Sequence, residues 1–180
     1  MTVVIDTSSL ISLVRYYLPF DKDGKLVETI QSKVESGEIV VLDKVVEECK
    51  YFSGGRVVSK LPFLLDKKNQ IKTTELFPTK TFFNMLDNQF VNTAIRRKLN
   101  VAEFESSKNL FLESADAKLL LYSTAKKKVG EDVIVITEES TANNDNKAFK
   151  KIPAICEILG LNCITLPQLL QNFGEIDVRF

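Results

Sequence analysis

The sequence predicts an α/β domain in three layers, with a central, mainly parallel sheet between helices. Short β-branched runs alternate with helical patterns along the chain, and strands connected through helices are typical of parallel sheets with right-handed crossovers. Two of the runs, Val3–Asp6 and Val133–Ile136, are apolar apart from the final acid of the first, as expected of buried strands. With 180 residues, the chain is long enough for a single domain, residues 1–180, with a substantial core.

The first third of the chain predicts two strands and three helices. Apolar residues at helical spacing define the first two helices, which proline and glycine end. Asp43 is expected to cap the third helix. The predicted elements are a strand at Val3–Asp6, a helix from Ser9 that stops at Pro19, a helix at Lys25–Ser36 ended by Gly37, a strand at Glu38–Leu42 and a helix after Asp43.

The middle of the chain, from Ser53 to about Phe111, has no clean period. A glycine pair and two prolines interrupt it, so we expect an irregular helical insertion, over about 54–112, packed on one end of the sheet. Its phenylalanines are expected in the core rather than in a base-stacking platform, because aromatic side chains at helical spacing usually serve packing. They include Phe77, Phe82, Phe83 and Phe90.

The regular pattern resumes at Ser114, which is expected to cap a helix running to about Lys128. Proline at a helix start and glycine at a helix end mark the later elements. These are a strand at Val133–Ile136, a polar loop at Thr141–Asn146, a helix opened by Pro153 and closed by Gly160, a strand at Cys163–Thr165 and a terminal helix from Pro167.

Composition argues against several classes of function. The 24 basic and 24 acidic side chains balance, so no global charge draws the protein to nucleic acid or to an anionic membrane. No apolar run approaches the length of a membrane span, and no membrane partner is expected. Three cysteines without CxxC spacing argue against a disulfide framework or structural zinc and indicate the cytoplasm. Histidine is absent, which removes histidine-based nucleophile pairs and histidine-ligated zinc.

Four acids stand beside predicted strand ends or helix starts: Asp6, Glu48, Asp116 and Glu139. Each has an ordinary explanation on its own, since Asp6 fits a helix cap, Asp116 fits a first helical turn, and the two glutamates fit a solvated surface. In open α/β sheets, ligands bind in the crevice at the carboxyl ends of the parallel strands. Four carboxylates converging there would repel one another unless a hard cation neutralised them.

The ordered set of motifs resembles the PIN-domain nucleases over nearly the whole chain. Most of the likeness lies in Val4–Leu10, Ala115–Leu120 and Val135–Glu139, and Lys151–Cys156 resembles the C-terminal segment of a little-characterised bacterial PIN-like branch. The resemblance implies a PIN-like, Rossmann-like α/β/α fold. It also implies an endoribonuclease dependent on Mg²⁺ or Mn²⁺, and many members of the family are VapC-type toxins of toxin–antitoxin pairs.

By this resemblance the catalytic and metal-binding residues are Asp6, Glu48, Asp116 and Glu139, with Ser8 and Thr137 as supporting hydroxyls. The family commonly has Asp at the last position, and the sequence leaves open whether Glu138 or Glu139 serves there. It also leaves open Glu47 or Glu48. A bound cation would activate a water and stabilise charge on the phosphoryl oxygens, and cleavage would leave a 5′-phosphate and a 3′-hydroxyl.

Basic clusters give weaker predictions about partners. Lys147, Lys150 and Lys151 follow the loop that carries Glu139 and are the best placed to contact RNA phosphates. Two further runs, Arg96–Lys98 and Lys126–Lys128, fit solvated helix ends. The resemblance adds a cognate antitoxin protein and a homodimer as candidate partners, with Leu10–Leu18 either the dimer interface or ordinary core.

Two other functions stay open on the sequence. One is a catalytically silent PIN-like module that binds RNA or protein, and the other is a metal-dependent hydrolase of small phosphate esters. A haloacid-dehalogenase-like phosphatase is disfavoured, because its nucleophile motif needs a second Asp where Ser8 stands. Metal binding without nuclease activity would favour the ester hydrolase, and failure to bind metal would favour the silent module.

Overall fold

The structure is a computed structural model that describes residues 1–141 and 147–173, and its centre is one sheet of five parallel strands flanked by helices. The strands are β1 (Thr2–Ile5), β2 (Ile39–Leu42), β3 (Gln70–Ile71), β4 (Val133–Ile136) and β5 (Asn162–Ile164). They lie in the order β3-β2-β1-β4-β5, and each neighbouring pair is parallel. The predicted three-layer α/β/α class is confirmed.

Ten α-helices connect and cover the strands within the described residues. They are α1 (Thr7–Ser12), α2 (Lys25–Glu35), α3 (Asp43–Tyr51), α4 (Arg56–Lys60), α5 (Lys80–Asn88), α6 (Thr93–Arg96), α7 (Val101–Glu113), α8 (Ala115–Lys128), α9 (Ile152–Leu159) and α10 (Leu166–Asn172). The helix predicted from Ser9 to Pro19 changes type along its length. It begins as α1 and continues as a π-helical turn at Leu13–Tyr17 and a 3₁₀ turn at Leu18–Phe20.

The order of the strands places a crevice between β1 and β4. The chain passes from β1 to β2 on one side and later enters β4 on the other, so both β2 and β4 pair with β1. Val3 lies opposite Ile39 in β2 and Ile134 in β4. The carboxyl ends of strands at such a switch point are where open α/β sheets bind ligands, and Asp6 and Thr137 follow directly on these two strands.

The middle of the chain contributes an unpredicted strand as well as helices. β3 pairs with β2 at the edge of the sheet, and its two residues are too few to produce a period. The prediction that Asp43 caps the following helix is wrong, because Asp43 is the first residue of α3. Its carboxylate instead accepts the Thr73 hydroxyl at 2.6 Å and the Thr73 backbone N–H at 3.2 Å, which fastens the segment after β3 to α3.

The phenylalanines of the middle region divide between core and surface. Phe82 and Phe90 are buried and meet edge to face with ring centroids 5.4 Å apart. Phe77 is 76% exposed and Phe83 is 38% exposed, so the expectation of a core position is wrong for these two. Phe83 follows Phe82 in α5, about 100° around the helix, and therefore cannot share its buried face.

The remaining predictions correspond closely to the structure. α8, β4, α9, β5 and α10 each lie within two residues of their predicted positions, and Gly160 ends α9 with a φ of 61°. The predicted loop Thr141–Asn146 lies outside the described residues after Thr141. Within Leu10–Leu18, Leu10, Leu13 and Val14 are buried in the core. In the part of the chain that the structure describes, no helix combines the length and apolarity needed to cross a bilayer.

Candidate functional site

Asp6 lies at the carboxyl end of β1 and is fixed by hydrogen bonds on both of its carboxylate oxygens. Its side chain is the N-cap of α1, with Oδ1 accepting the Thr7 backbone N–H at 2.7 Å. Oδ2 accepts the Ser8 hydroxyl at 2.5 Å and the Thr137 hydroxyl at 2.9 Å. The residue is only 3% exposed. Asp6 therefore caps a helix and also holds a charged carboxylate at the crevice.

Ser8 and Thr137 join the end of β1 to the end of β4. Their hydroxyl oxygens are 3.2 Å apart, and both donate to the same oxygen of Asp6. Each hydroxyl also accepts a backbone N–H, that of Glu138 on Ser8 at 3.0 Å and that of Glu139 on Thr137 at 3.2 Å. The network fixes the segment that carries the two glutamates.

The two adjacent glutamates point to different helices. Oε1 of Glu138 accepts the backbone N–H of Leu166, the first residue of α10, at 2.6 Å. Oε2 of Glu139 accepts the backbone N–H of Ile152, the first residue of α9, at 2.9 Å. Glu139 also lines a cavity together with Asp116. Of the two alternatives, Glu139 is the one at the crevice.

Glu48 and Glu47 are separated in the same way. Oε2 of Glu48 accepts the hydroxyl of Thr7 at 2.6 Å, which holds this half-buried carboxylate against the start of α1. Glu47 is exposed and forms an ion pair with Lys44 at 3.2 Å. Thr7 was not among the predicted site residues, although a hydroxyl directly after Asp6 at a helix start was a visible signal.

Asp116 is the second residue of α8, which begins at the cap residue Ser114. Burial, and after it the negative charges of Asp6, Glu139 and Glu48, raise the pKa of Asp116 from the ordinary 3.8 to about 7, against a smaller opposing effect of Lys147. Three carboxylates from β1, α3 and the loop after β4 therefore act on the fourth. The four predicted acids are therefore near enough for their charges to interact at this end of the sheet.

The donor chemistry of this cluster fits a hard divalent cation. All four side chains offer carboxylate oxygens, the ligand type that Mg²⁺ prefers, and their repulsion favours a counter-charge. Within residues 1–141 and 147–173, no group of three or more Cys, Asp or Glu side chains is gathered so that it could hold a metal ion. Mg²⁺ keeps several waters and usually takes only one or two carboxylates directly, so its binding does not require three acids within direct coordination distance.

A cavity of about 360 Å³ opens beside Asp116 and Glu139. Lys147, Lys150 and Lys151, the three predicted RNA-binding lysines, line one part of it. Residues of α7 line another part: Ser107, Leu110 and Phe111. The carboxylate cluster thus borders a concave surface that carries positive charge.

The helical insertion builds the wall of this cavity and holds its lysines in place. The segment 147–151 is attached to the insertion through an antiparallel bridge between Val91 and Phe149, supported by a hydrogen bond from the Lys150 N–H to the Phe90 carbonyl at 2.8 Å. The Phe149 ring packs on Phe111 with centroids 4.8 Å apart. The insertion is therefore part of the site rather than a remote attachment.

The other two basic clusters are engaged in local structure. Lys126 pairs with Glu131 at 2.8 Å, and Lys127 donates to the carbonyl of Gly160 at the end of α9. The Arg96 guanidinium lies 4.2 Å from the centre of the Phe104 ring. Lys126 lies ten residues along α8 from Asp116, about 15 Å away at the helical rise.

Comparison with known proteins gives a family match over most of the chain. A model of the family DUF4411, described as a domain of unknown function, matches residues 3–175. No curated protein and no solved structure matches the chain.

Proposed function

We propose that this chain, which belongs to the DUF4411 family of unknown function, is a metal-dependent endoribonuclease with a PIN-like site. The observation that supports the proposal is that the charges of three acids, Asp6, Glu48 and Glu139, all act on Asp116 near the end of the paired strands β1 and β4. Three free cysteines support a reducing location, which we take to be the cytoplasm.

The four carboxylates are the groups that would hold Mg²⁺ or Mn²⁺. When bound, the cation supplies positive charge that lowers the pKa of a water and offsets the charge developing on phosphoryl oxygens. Asp6 is already oriented for this role, because three hydrogen bonds from Thr7, Ser8 and Thr137 fix its carboxylate. Asp116, with a pKa of about 7, can hold or release a proton at its carboxylate near neutral pH.

RNA is the proposed substrate because lysines and carboxylates share one cavity. Lys147 and Lys150 line this cavity, and contacts between such lysines and RNA phosphates would provide most of the affinity for a nucleic-acid backbone. The resemblance to PIN-domain nucleases supports products with a 5′-phosphate and a 3′-hydroxyl. From the resemblance alone, we also propose that the chain is a toxin with a cognate antitoxin and forms a homodimer.

The proposal is tested by incubating structured and single-stranded RNA with purified protein in Mg²⁺, in Mn²⁺ and in chelator. We expect cleavage in either metal, none in chelator, and none by Asp6→Asn or Asp116→Asn, which remove charge at nearly constant shape. Glu47→Gln, which removes an exposed charge next to Glu48, is the matched control and should retain full activity.

Other outcomes decide between the remaining functions. Full cleavage by either Asn variant would refute the assigned site. Metal-dependent hydrolysis of p-nitrophenyl phosphate without RNA cleavage would indicate a small-ester hydrolase. Absence of both activities, together with absence of metal binding, would identify a silent binding module.

A further inference from the structure

We propose that a second cavity, lined by Asn88, Gln89, Asn92, Thr93 and Lys150, binds the base of a nucleotide next to the cleaved bond and selects adenine. The inference rests on the proposed ribonuclease function, because it assigns part of the same substrate. The cavity lies between the end of α5, the start of α6, Lys150 and α9, and the apolar side chains of Val91 and Ile158 complete its lining.

The second cavity adjoins the carboxylate site. It measures about 410 Å³, within the range of roughly 300–1,000 Å³ typical of small-molecule pockets. Lys150 lines both this cavity and the one that contains Asp116 and Glu139. Lys150 is therefore common to the two cavities, and in our proposal a strand of RNA that occupies the first cavity continues into the second.

The backbone around the second cavity is fixed by hydrogen bonds. The N–H groups of Gln89 and Phe90 both donate to the carbonyl of Met85, at 2.7 and 2.9 Å, and the Phe90 side chain is fully buried. The N–H of Asn92 donates to the carbonyl of Ala148 at 2.7 Å. A rigid backbone keeps the cost of ordering side chains on binding low.

The chemistry of the lining fits a nucleobase. The Asn88 amide donates to the backbone and side-chain oxygens of Asn84, both at 2.8 Å. Gln89 and Asn92 each carry an amide, which offers a donor and an acceptor in one plane. Such a pair matches the amino group and ring nitrogen of adenine, the base that Asn and Gln contact in bidentate fashion. Single-stranded RNA exposes these base edges to proteins. Lys150, between the two cavities, is placed to contact the linking phosphate.

The test measures binding rather than cleavage, in the Asp116→Asn background. Fluorescein-labelled octamers of adenosine and of uridine are titrated by fluorescence anisotropy at several salt concentrations. We expect the adenosine octamer to bind about tenfold more tightly, the value of one good bidentate contact. Replacing Gln89 and Asn92 together with Ala should remove this preference and leave uridine binding within about twofold.

Two further variants separate base recognition from charge and from unrelated surface effects. Lys150→Gln should weaken both octamers equally and lower the slope of log affinity against log salt by about 0.7. Gln31→Ala removes a partly exposed amide on α2, outside the lining of the cavity, and should change neither affinity. Melting temperatures of all variants should match the parent, because Gln89 is exposed and Asn92 partly so.

Equal affinity for the two octamers, or a preference that survives replacement of Gln89 and Asn92, would overturn the inference. Cleavage by the wild type is measured in parallel on mixed-sequence RNA. Cleavage without any base preference would refute base binding in the second cavity and would still support the proposed nuclease function. A preference lost in the double variant, without cleavage by the wild type, would support the base site and refute the nuclease.

Discussion

Replacing Asp116 with Asn is expected to stabilise the metal-free protein at neutral pH while abolishing its proposed activity. The pKa of Asp116 rises from 3.8 to about 7 in the folded protein because of burial and the charges of Asp6, Glu139 and Glu48. Between these two pH values the folded protein holds a proton that the unfolded chain has lost. The stability of the wild type therefore falls as pH rises from about 4 to about 7, and Asn removes this loss.

The size of the effect follows from the change in pKa. Each tenfold change in proton affinity is worth about 1.4 kcal/mol, so a rise from 3.8 to about 7 gives an upper limit of about 4 kcal/mol. Asp116 is partly exposed, and water reduces the penalty to about 2 kcal/mol. In a domain of this size, that difference raises the melting temperature by about 4–8 °C at pH 8.

Differential scanning calorimetry in chelator, from pH 4.5 to pH 8, measures this difference directly. The advantage of Asp116→Asn should be small at pH 4.5 and reach its full size by pH 8. Glu47→Gln, at an exposed position, should follow the wild type throughout. A difference that does not change with pH, or a variant less stable than the wild type at pH 8, would refute the electrostatic reasoning.

Two further predictions concern the neighbours of the site. Thr7→Val should slow RNA cleavage by about tenfold or more, because Glu48 loses the hydroxyl that orients it. Thr7→Ser keeps a hydroxyl and should retain the wild-type rate. Equal rates for the wild type and both variants would show that this hydrogen bond has no role in cleavage. Glu139→Gln should abolish cleavage, whereas Glu138→Gln should cleave RNA at the normal rate. Glu138→Gln should lose about 0.3–1 kcal/mol of stability in urea unfolding, because Glu138 caps α10. Loss of cleavage in Glu138→Gln but not in Glu139→Gln would reverse the assignment.

The central strands were predictable because a strand that is buried on both faces has a continuous run of apolar residues in its sequence. β2 and β4 have every residue buried, and both appear as continuous runs of Val, Ile and Leu. β3 has two residues, one of them exposed. The segment that follows it is held by a hydrogen bond from the Thr73 hydroxyl to Asp43, 30 positions earlier in the sequence. No local pattern records a contact of that kind.

The candidate site was predictable only to the level of short alternatives. Asp6 and Asp116 follow from their places at a strand end and a helix start, which sequence reveals. The choice of Glu48 over Glu47 needed the position of the Thr7 hydroxyl, and the choice of Glu139 over Glu138 needed the N-termini of α9 and α10. The second cavity arises from the attachment of segment 147–151 to the helical insertion, which the sequence does not indicate.

Titration of Mn²⁺ into the protein by isothermal calorimetry measures directly whether a divalent cation binds at the crevice between β1 and β4. We propose that it does, with Asp6, Glu48, Asp116 and Glu139 as the binding residues. We expect saturable binding at pH 8 to the wild type and to Glu47→Gln, and loss of that binding in Asp6→Asn and Asp116→Asn. Binding of equal affinity in all four proteins, or in none of them, would contradict it.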